Sequence, residues 1–453
     1  MHDLDTTVVA VATPPGRGGI GCLRLSGERS AAIARTMFEY GGKGPGHGLD
    51  QGQKPYFGRF LDRDQAPLDH GFLILFDARH AYTGEPTAEL WTHGSPAVLQ
   101  ELMDTAIEAG AVAAGPGEFT YRALRNGRLD LARSEAIRDL IEARTRYQAR
   151  VAFEQAEGSL SRRIAPLTSS LEEWIARGEA AVEFVDESET HLPAGRLAAA
   201  IDETIEQCNE LVAVFRTGRV VRDGARLVLV GRPNVGKSSL FNRLLERDRA
   251  IVTEVAGTTR DTLEEDLVLD GIPVRLIDTA GLREVRDAVE REGVSRAQRA
   301  LEQADLVLFV LDGSRETDDL ERATLTRVEA EAARWVAVVN KSDLPPRAEL
   351  NGNLAVSAKT GDGVAELRAL LREHLIGGAP PEHPVVTNGR HAAALGRARD
   401  TLTKAATAVK EGLSEEWVLE DLKQARTELA AITGAFDVED LYDRIFSTFC
   451  IGK

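Results

Sequence analysis

The chain has 453 residues, 43% of them hydrophobic, enough to bury two or three domain cores. Its formal net charge is −17 and its pI is near 5.2, which excludes a general polyanion binder; any nucleic acid must meet a local basic face. Cys22, Cys208 and Cys450 stand far apart, in neither a metal-ligand spacing nor a dense disulfide framework, so a reducing cytoplasm is the expected location.

The start, MHDLDTTVVAVATPP, has no basic segment and no long apolar core, and no later apolar run approaches membrane-spanning length. A soluble chain with no membrane partner is expected. Residues 1–118 read as a mixed α/β domain. Thr7–Ala12 is a strand, followed by the glycine-rich loop PPGRGGIG. Gly16, Gly18 and Gly21 match G-x-G-x-x-G, but Cys22-Leu23-Arg24-Leu25 alternates like a strand. A dinucleotide site needs a helix there. Gly71–Phe76 is another strand, and Ala88–Gly94 places Glu89 and His93 beside apolar residues. Taken alone, Glu89 reads as an outward strand carboxylate.

Residues 119–222 turn to helical periodicity, with apolar stripes at Leu124, Leu131, Ile137 and Ile141. Pro166 is expected to break or kink a helix, and the acidic run at 179–190 to form a surface turn. Residues 119–165 carry ten arginines against six acids. Both an RNA-facing surface and a solvated helix face fit that excess.

Residues 223–376 read as a nucleotide domain. The apolar run Leu227–Val230 ends at Gly231, and Gly236-Lys237-Ser238 completes G-x-x-x-x-G-K-S. Such a loop between strand and helix closes backbone N–H groups around phosphate oxygens. Lys237 supplies a point charge to the outer phosphates, and Ser238 can sit on Mg²⁺. Thr253 to Asp261 is a polar segment of switch type, in which a threonine can complete the Mg²⁺ shell. Asp270-Gly271 is a hairpin signal between two apolar strands. Asp278-Thr279-Ala280-Gly281 then offers a carboxylate to Mg²⁺ through water and the Gly281 N–H to a γ-phosphate. Asn340-Lys341-Ser342-Asp343 follows the strand WVAVV; Asp343 can accept the N1–H and 2-amino hydrogens of guanine, a donor pair adenine lacks. Ser357-Ala358-Lys359 can close over the base.

The proline-rich stretch 377–384 ends this domain, and 377–453 is helical again with breaks near Gly412 and Gly434. Helix on both sides implies that the nucleotide domain is inserted into a helical one. The tail Cys450-Ile451-Gly452-Lys453 does not fit a prenylation box.

In this order the PPGRGGIG loop, GRPNVGKSSL, AGTTRD, DTAGLR and CIGK resemble the bacterial tRNA-modification GTPase family MnmE (TrmE). The resemblance covers essentially the whole chain, and the first and last motifs discriminate it from other GTPases. One departure is Thr92-His93-Gly94-Ser95, where the family reads Gly-His-Gly-Gly.

The resemblance implies a multidomain α/β plus all-α fold. Its parts are an N-terminal folate-binding and dimerisation domain (1–118), a two-part helical domain (119–222 and 377–453) and an inserted, doubly wound P-loop GTPase domain (223–376). It implies Mg²⁺, K⁺ and a tetrahydrofolate one-carbon derivative as cofactors, with GTP as substrate. The implied partners are a second copy of the chain, the flavoprotein MnmG (GidA) and tRNA, whose wobble uridine is modified at carbon 5. Arg24, Glu89, Arg128 and Lys453 match folate-binding positions, with Cys450 a small buried or pocket-lining residue. The implied GTP site comprises Asn234, Val235, Gly236, Lys237, Ser238, Ser239, Thr253, Thr258, Thr259, Asp278, Thr279, Ala280, Gly281, Asn340, Lys341, Asp343, Ser357, Ala358 and Lys359. Ser238 and Thr259 match Mg²⁺ ligands; Asn234, Thr253, Val255 and Thr258 match K⁺ ligands. Leu282 stands where many GTPases carry a water-orienting Gln, and Glu290 matches the family's catalytic acid, acting with Lys237 and Gly281. A rival class is a regulatory GTP switch in ribosome assembly without folate chemistry; folate binding separates the two.

Overall fold

Period-two alternation in the first part of the chain builds one seven-stranded sheet. The computed structural model describes residues 4–42, 45–49, 53–183, 193–245, 264–278, 300–347, 353–378, 386–434, 442 and 445–452. They fall into two compact units, Met1–Arg138 with Ala430–Lys453, and Asp139–Leu429.

In the first unit the order is β1 (Val8–Val11), β2 (Gly18–Ser26), α1 (Ser30–Thr36), β3 (Phe38–Glu39), β4 (Tyr56–Leu61), β5 (Pro67–Phe76), β6 (Thr87–Gly94), α2 (Pro96–Glu108), β7 (Val112–Ala113), α3 (Glu118–Arg125) and the start of α4 (Leu131–Glu142). The sheet runs β3-β4-β5-β6-β2-β1-β7. Leu23, Leu25, Leu73, Leu75 and Leu90 point to one face and are buried with residues of α1 and α2. On the opposite face Phe119 of α3 covers Val8 and Ala10. Gly18 and Gly21 lie on β2, paired with β6, so a strand stands where a dinucleotide site needs its helix.

The last described residues return to this unit. Phe446 and Phe449 are buried with Leu131, and Ile451 bridges Pro116. Gly452 has φ +93°, and a Cβ there would meet the Val11 carbonyl oxygen at 2.3 Å. Only glycine lets the tail approach β1 so closely. Packing therefore groups 119–138 and 430–452 with the sheet, although the expected domain boundary lay at residue 118.

The second unit holds α5 (Arg146–Ala156), α6 (Ser159–Glu183), α7 (Ala194–Ala213), α8 (Phe215–Asp223), β8 (Ala225–Val230), α9 (Lys237–Leu245), β9 (Glu264–Leu269), β10 (Ile272–Asp278), β11 (Leu306–Asp312), α10 (Asp319–Glu331), β12 (Trp335–Asn340), β13 (Leu354–Ala355), α11 (Val364–Ile376), α12 (Gly389–Lys410) and α13 (Glu415–Thr433). A six-stranded sheet runs β13-β12-β11-β8-β10-β9. Only the β9–β10 pair is antiparallel, turning at Asp270 (φ 51°) and Gly271 (φ 91°). The strands are apolar on both faces: Leu227, Leu229, Leu308 and Val310 pack with α9 and α11, and Val228, Val307 and Phe309 pack with Leu301 and Val328. This double burial is why they read as continuous apolar runs. Helix α7 packs along α12, so helices from before and after the sheet domain meet, as an insertion requires.

Two local expectations are corrected in part. Helix α6 runs unbroken through Pro166, whose missing N–H removes one internal bond while burial of Leu160, Ile164, Leu167 and Leu171 holds the helix on both sides. The acidic run expected as a surface turn over 179–190 is helical up to Glu183; residues 184–192 lie outside the described residues. The basic excess over 119–165 is partly internal. Arg122 is buried against Glu85 and Glu118, and Arg144 and Arg150 pair with Asp266 and Glu154.

Candidate active site

Parallel strands bring their carboxyl ends to one edge of a sheet, where ligands of doubly wound folds bind. At that edge of the second unit, Gly231 follows β8, Asp278 ends β10, Asp312 ends β11 and Asn340 ends β12. The loop 231–236 leads into α9, and Lys237 is its first residue. The Lys237 ammonium is buried and donates to the carbonyls of Gly231 (2.9 Å) and Arg232 (2.7 Å), which draws the loop around itself. Arg232 forms an ion pair with Asp318, the residue capping α10. Asn234 takes the left-handed region (φ 65°) and is exposed, as are Ser238 and Ser239, while Val235 is buried.

Asn340 ties the phosphate loop to the base loops. Its Nδ2 donates to the Val235 carbonyl (2.8 Å), and its Oδ1 accepts from the Ala358 N–H (2.9 Å). The carboxamide lies so close to the loop that a Cβ at Gly236 (φ +94°) would meet Nδ2 at 2.3 Å. Ser357, fully buried, donates from Oγ to Asp343 Oδ1 (2.7 Å). Asp343 is exposed, so its second oxygen can meet a base. Lys341 (φ 67°) donates to Asp312 Oδ2 at 2.6 Å, and Ser314 donates to Asp312 Oδ1 from both N–H and hydroxyl. Burial raises the Asp312 carboxyl, but these donors outweigh it and leave its pKa below the ordinary carboxylate range.

The structure thus brings together Asn234, Val235, Gly236, Lys237, Ser238, Ser239, Asn340, Lys341, Asp343, Ser357, Ala358 and Lys359 along one sheet edge. For Asp278 only the backbone is described. Thr253, Val255, Thr258, Thr259, Thr279, Ala280, Gly281 and Glu290 lie outside the described residues.

A second cluster forms in the first unit. Arg24 on β2 stands opposite Glu89 on β6, and its Nε and Nη2 reach Glu89 Oε1 at 2.9 and 2.8 Å. Trp91 Nε1 donates to Glu89 Oε2 (3.0 Å). The Arg24 guanidinium lies 5.7 Å from the Phe119 ring centroid and 3.5 Å from the Gly452 carbonyl. Glu89 is therefore half of an ion pair rather than a free outward carboxylate. Burial and then the Glu89 charge push the neighbouring Cys22 thiol up to about 12, so Cys22 is inert. Arg128 is exposed, and its Nη2 donates to the carbonyls of Arg79 (2.7 Å) and Ala81 (3.3 Å). Cys450 is exposed, so of the two expected placements, buried or pocket-lining, burial does not hold; the tail is held through its backbone, with Gly117 donating to the Cys450 carbonyl at 3.3 Å. Lys453 lies outside the described residues.

The chain matches the family model described as MnmE helical domain over residues 131–450 and that described as GTP-binding protein TrmE N-terminus over residues 7–128. A tRNA modification GTPase MnmE of Koribacter versatilis is 42% identical over 100% of both chains. The chain belongs to the MnmE family. Proteins of the same name from Aquifex aeolicus (40% identity; 98% of this chain, 99% of the relative) and Azoarcus (43%; 98% of each) are similarly close.

In this MnmE-family chain two side chains join the nucleotide edge without a motif to announce them. One is Asp312, which holds Lys341. The other is Arg243 of α9, which donates to the carbonyls of Ala358 (3.1 Å) and Lys359 (2.7 Å). Aspartate at a strand end is a weak sequence signal, and a basic residue on an amphipathic helix is none.

Proposed function

We propose that the chain is a K⁺-stimulated GTPase that acts in the cytoplasm with a flavoprotein partner and a tetrahydrofolate one-carbon donor to modify carbon 5 of the wobble uridine in certain tRNAs. The observation that carries the GTP reading is the carboxylate of Asp343, anchored by Ser357 on a loop that Asn340 joins to the phosphate loop. That arrangement reads two adjacent donors on a base while Lys237 and α9 hold its phosphates. Among the described residues no helix is long and apolar enough to cross a membrane.

Ser238, at the start of α9, with Thr259 would hold Mg²⁺, and Asn234, with its left-handed backbone and exposed carboxamide, would contribute to K⁺ with Thr253, Val255 and Thr258. The cations supply positive charge beside the phosphates. Glu290 would orient the attacking water, because Leu282 has no polar group to do so. Glu290→Ala is expected to bind GTP with unchanged affinity and to cleave it at least about 100-fold more slowly. Single-turnover hydrolysis at saturating GTP and K⁺ checks this; a wild-type rate would remove Glu290 from the reaction.

Arg24, Glu89 and Trp91 form a half-buried, charged and aromatic cluster beside the buried Phe119 ring, suited to the polar ring and aryl group of a folate. Bound there, the folate supplies the one-carbon unit. Lys453 and Arg128 complete the reading by the family's pattern. Homodimerisation is assigned to the same unit, whose sheet exposes Phe57 and Phe72 side by side, 5.2 Å between ring centroids.

Arg24→Ala or Glu89→Ala is expected to weaken tetrahydrofolate binding by roughly 30-fold or more, since each leaves a half-buried charge without its partner. GTP affinity should not change, the two sites lying in separate units. Calorimetry with both ligands checks this, and unchanged folate affinity in both variants would contradict the pocket.

A further inference from the structure

The link from α9 to the base-closing loop has a chemical consequence for guanine selection. We propose that Arg243 is a positioning residue that aims the Lys359 N–H at the 6-oxygen of the base. The proposal rests on the GTP reading above and adds a residue to it.

Arg243 donates from Nε to the Ala358 carbonyl and from Nη2 to the Lys359 carbonyl. A guanidinium presents its N–H groups as a rigid fork, so one side chain holds two neighbouring carbonyls; an ammonium is a single point charge. A trans peptide is planar, with C=O and N–H on opposite edges. Holding the Ala358 carbonyl therefore turns the Lys359 N–H to the side away from α9. Holding the Lys359 carbonyl does the same for the Thr360 N–H, which donates to Ser357 Oγ at 3.1 Å.

Ser357 Oγ in turn donates to Asp343, so the loop peptides and the base-reading carboxylate form one connected set. The Ala358 and Thr360 N–H groups being given to Asn340 and Ser357, the Lys359 N–H is the one of the three assigned to the base edge beside the positions Asp343 reads. On guanine that edge carries an acceptor oxygen at position 6; on adenine it carries an amino donor. Asp343 thus reads positions 1 and 2, and Arg243, through Lys359, controls the reading of position 6.

The test uses the full chain and two nucleotides, GDP and 6-thio-GDP. The thio compound keeps both donors that face Asp343 and weakens only the acceptor at position 6. Wild type should prefer GDP. Arg243→Ala should release GDP about tenfold faster, the equivalent of one charge-assisted hydrogen bond, and its preference for GDP over 6-thio-GDP should fall toward one. Arg243→Lys should lie between, because an ammonium is a point charge on a flexible stem and lacks the fixed fork that holds both carbonyls in one orientation. A general loosening of the domain would weaken both nucleotides equally and leave the ratio unmoved. An unmoved ratio in Arg243→Ala, with wild type binding GDP, overturns the proposal alone. Absence of GDP binding by wild type overturns the GTP reading itself, so the two failures are distinct.

Discussion

Asp343→Asn is expected to move base preference from guanine to xanthine, changing the GTP-to-XTP affinity ratio by roughly 10⁴-fold. The size follows from what the site loses. A site built to hydrogen-bond a donor pair rejects a base lacking it, because its own polar groups are left unpaired. The direction follows from the Ser357 hydroxyl, which donates to Asp343 Oδ1 at 2.7 Å. In the variant that donor selects the amide oxygen for the same position, so the amide nitrogen replaces Oδ2. A donor then stands where an acceptor stood. Xanthine carries an oxygen in place of the 2-amino group and accepts from it; guanine presents a hydrogen to it and is repelled. Titrations with GTP and XTP check the result, and two unchanged affinities would take Asp343 out of the base site.

GTP hydrolysis is expected to run at least tenfold faster in KCl than in NaCl at equal ionic strength. An arginine finger contributes about 10³–10⁵ in rate by offsetting charge on the transferring phosphoryl group. No arginine is evident in that role in the sequence motifs, and Leu282 replaces the usual glutamine. Asn234 is the non-glycine residue of the phosphate loop in the left-handed region, a conformation asparagine tolerates better than most side chains. Its exposed carboxamide can offer an oxygen to a cation, and the larger, more weakly hydrated K⁺ suits a partly protein-built shell better than Na⁺. Asn234→Ala should therefore hydrolyse GTP at one rate in both salts while still binding it. Equal rates in the two salts for the wild type would remove the potassium assignment, and a difference that survives in Asn234→Ala would move it to other residues.

The phosphate loop, the chain order of the nucleotide-reading motifs and the β9–β10 hairpin are legible in local sequence. These are local properties: glycine at positive-φ positions, apolar runs long enough for one buried strand, and Asp270-Gly271 at a turn. The family resemblance also follows from short contiguous motifs. Which side chains hold those motifs in place follows from packing between distant segments. Arg243 meets a loop more than a hundred residues away, Asp312 neutralises Lys341 from a different strand, and Gly452 closes on β1 from the other end of the chain. Glu89 shows the difference most directly. Alternation along β6 makes it an outward carboxylate, and only the register of β2 against β6 supplies Arg24 as its partner. Pro166 shows it in reverse, since local chemistry favours a break that burial of the flanking apolar side chains overrides. Periodicity reports which face of an element is apolar, whereas pairing energy depends on distances between elements that no single stretch of sequence contains.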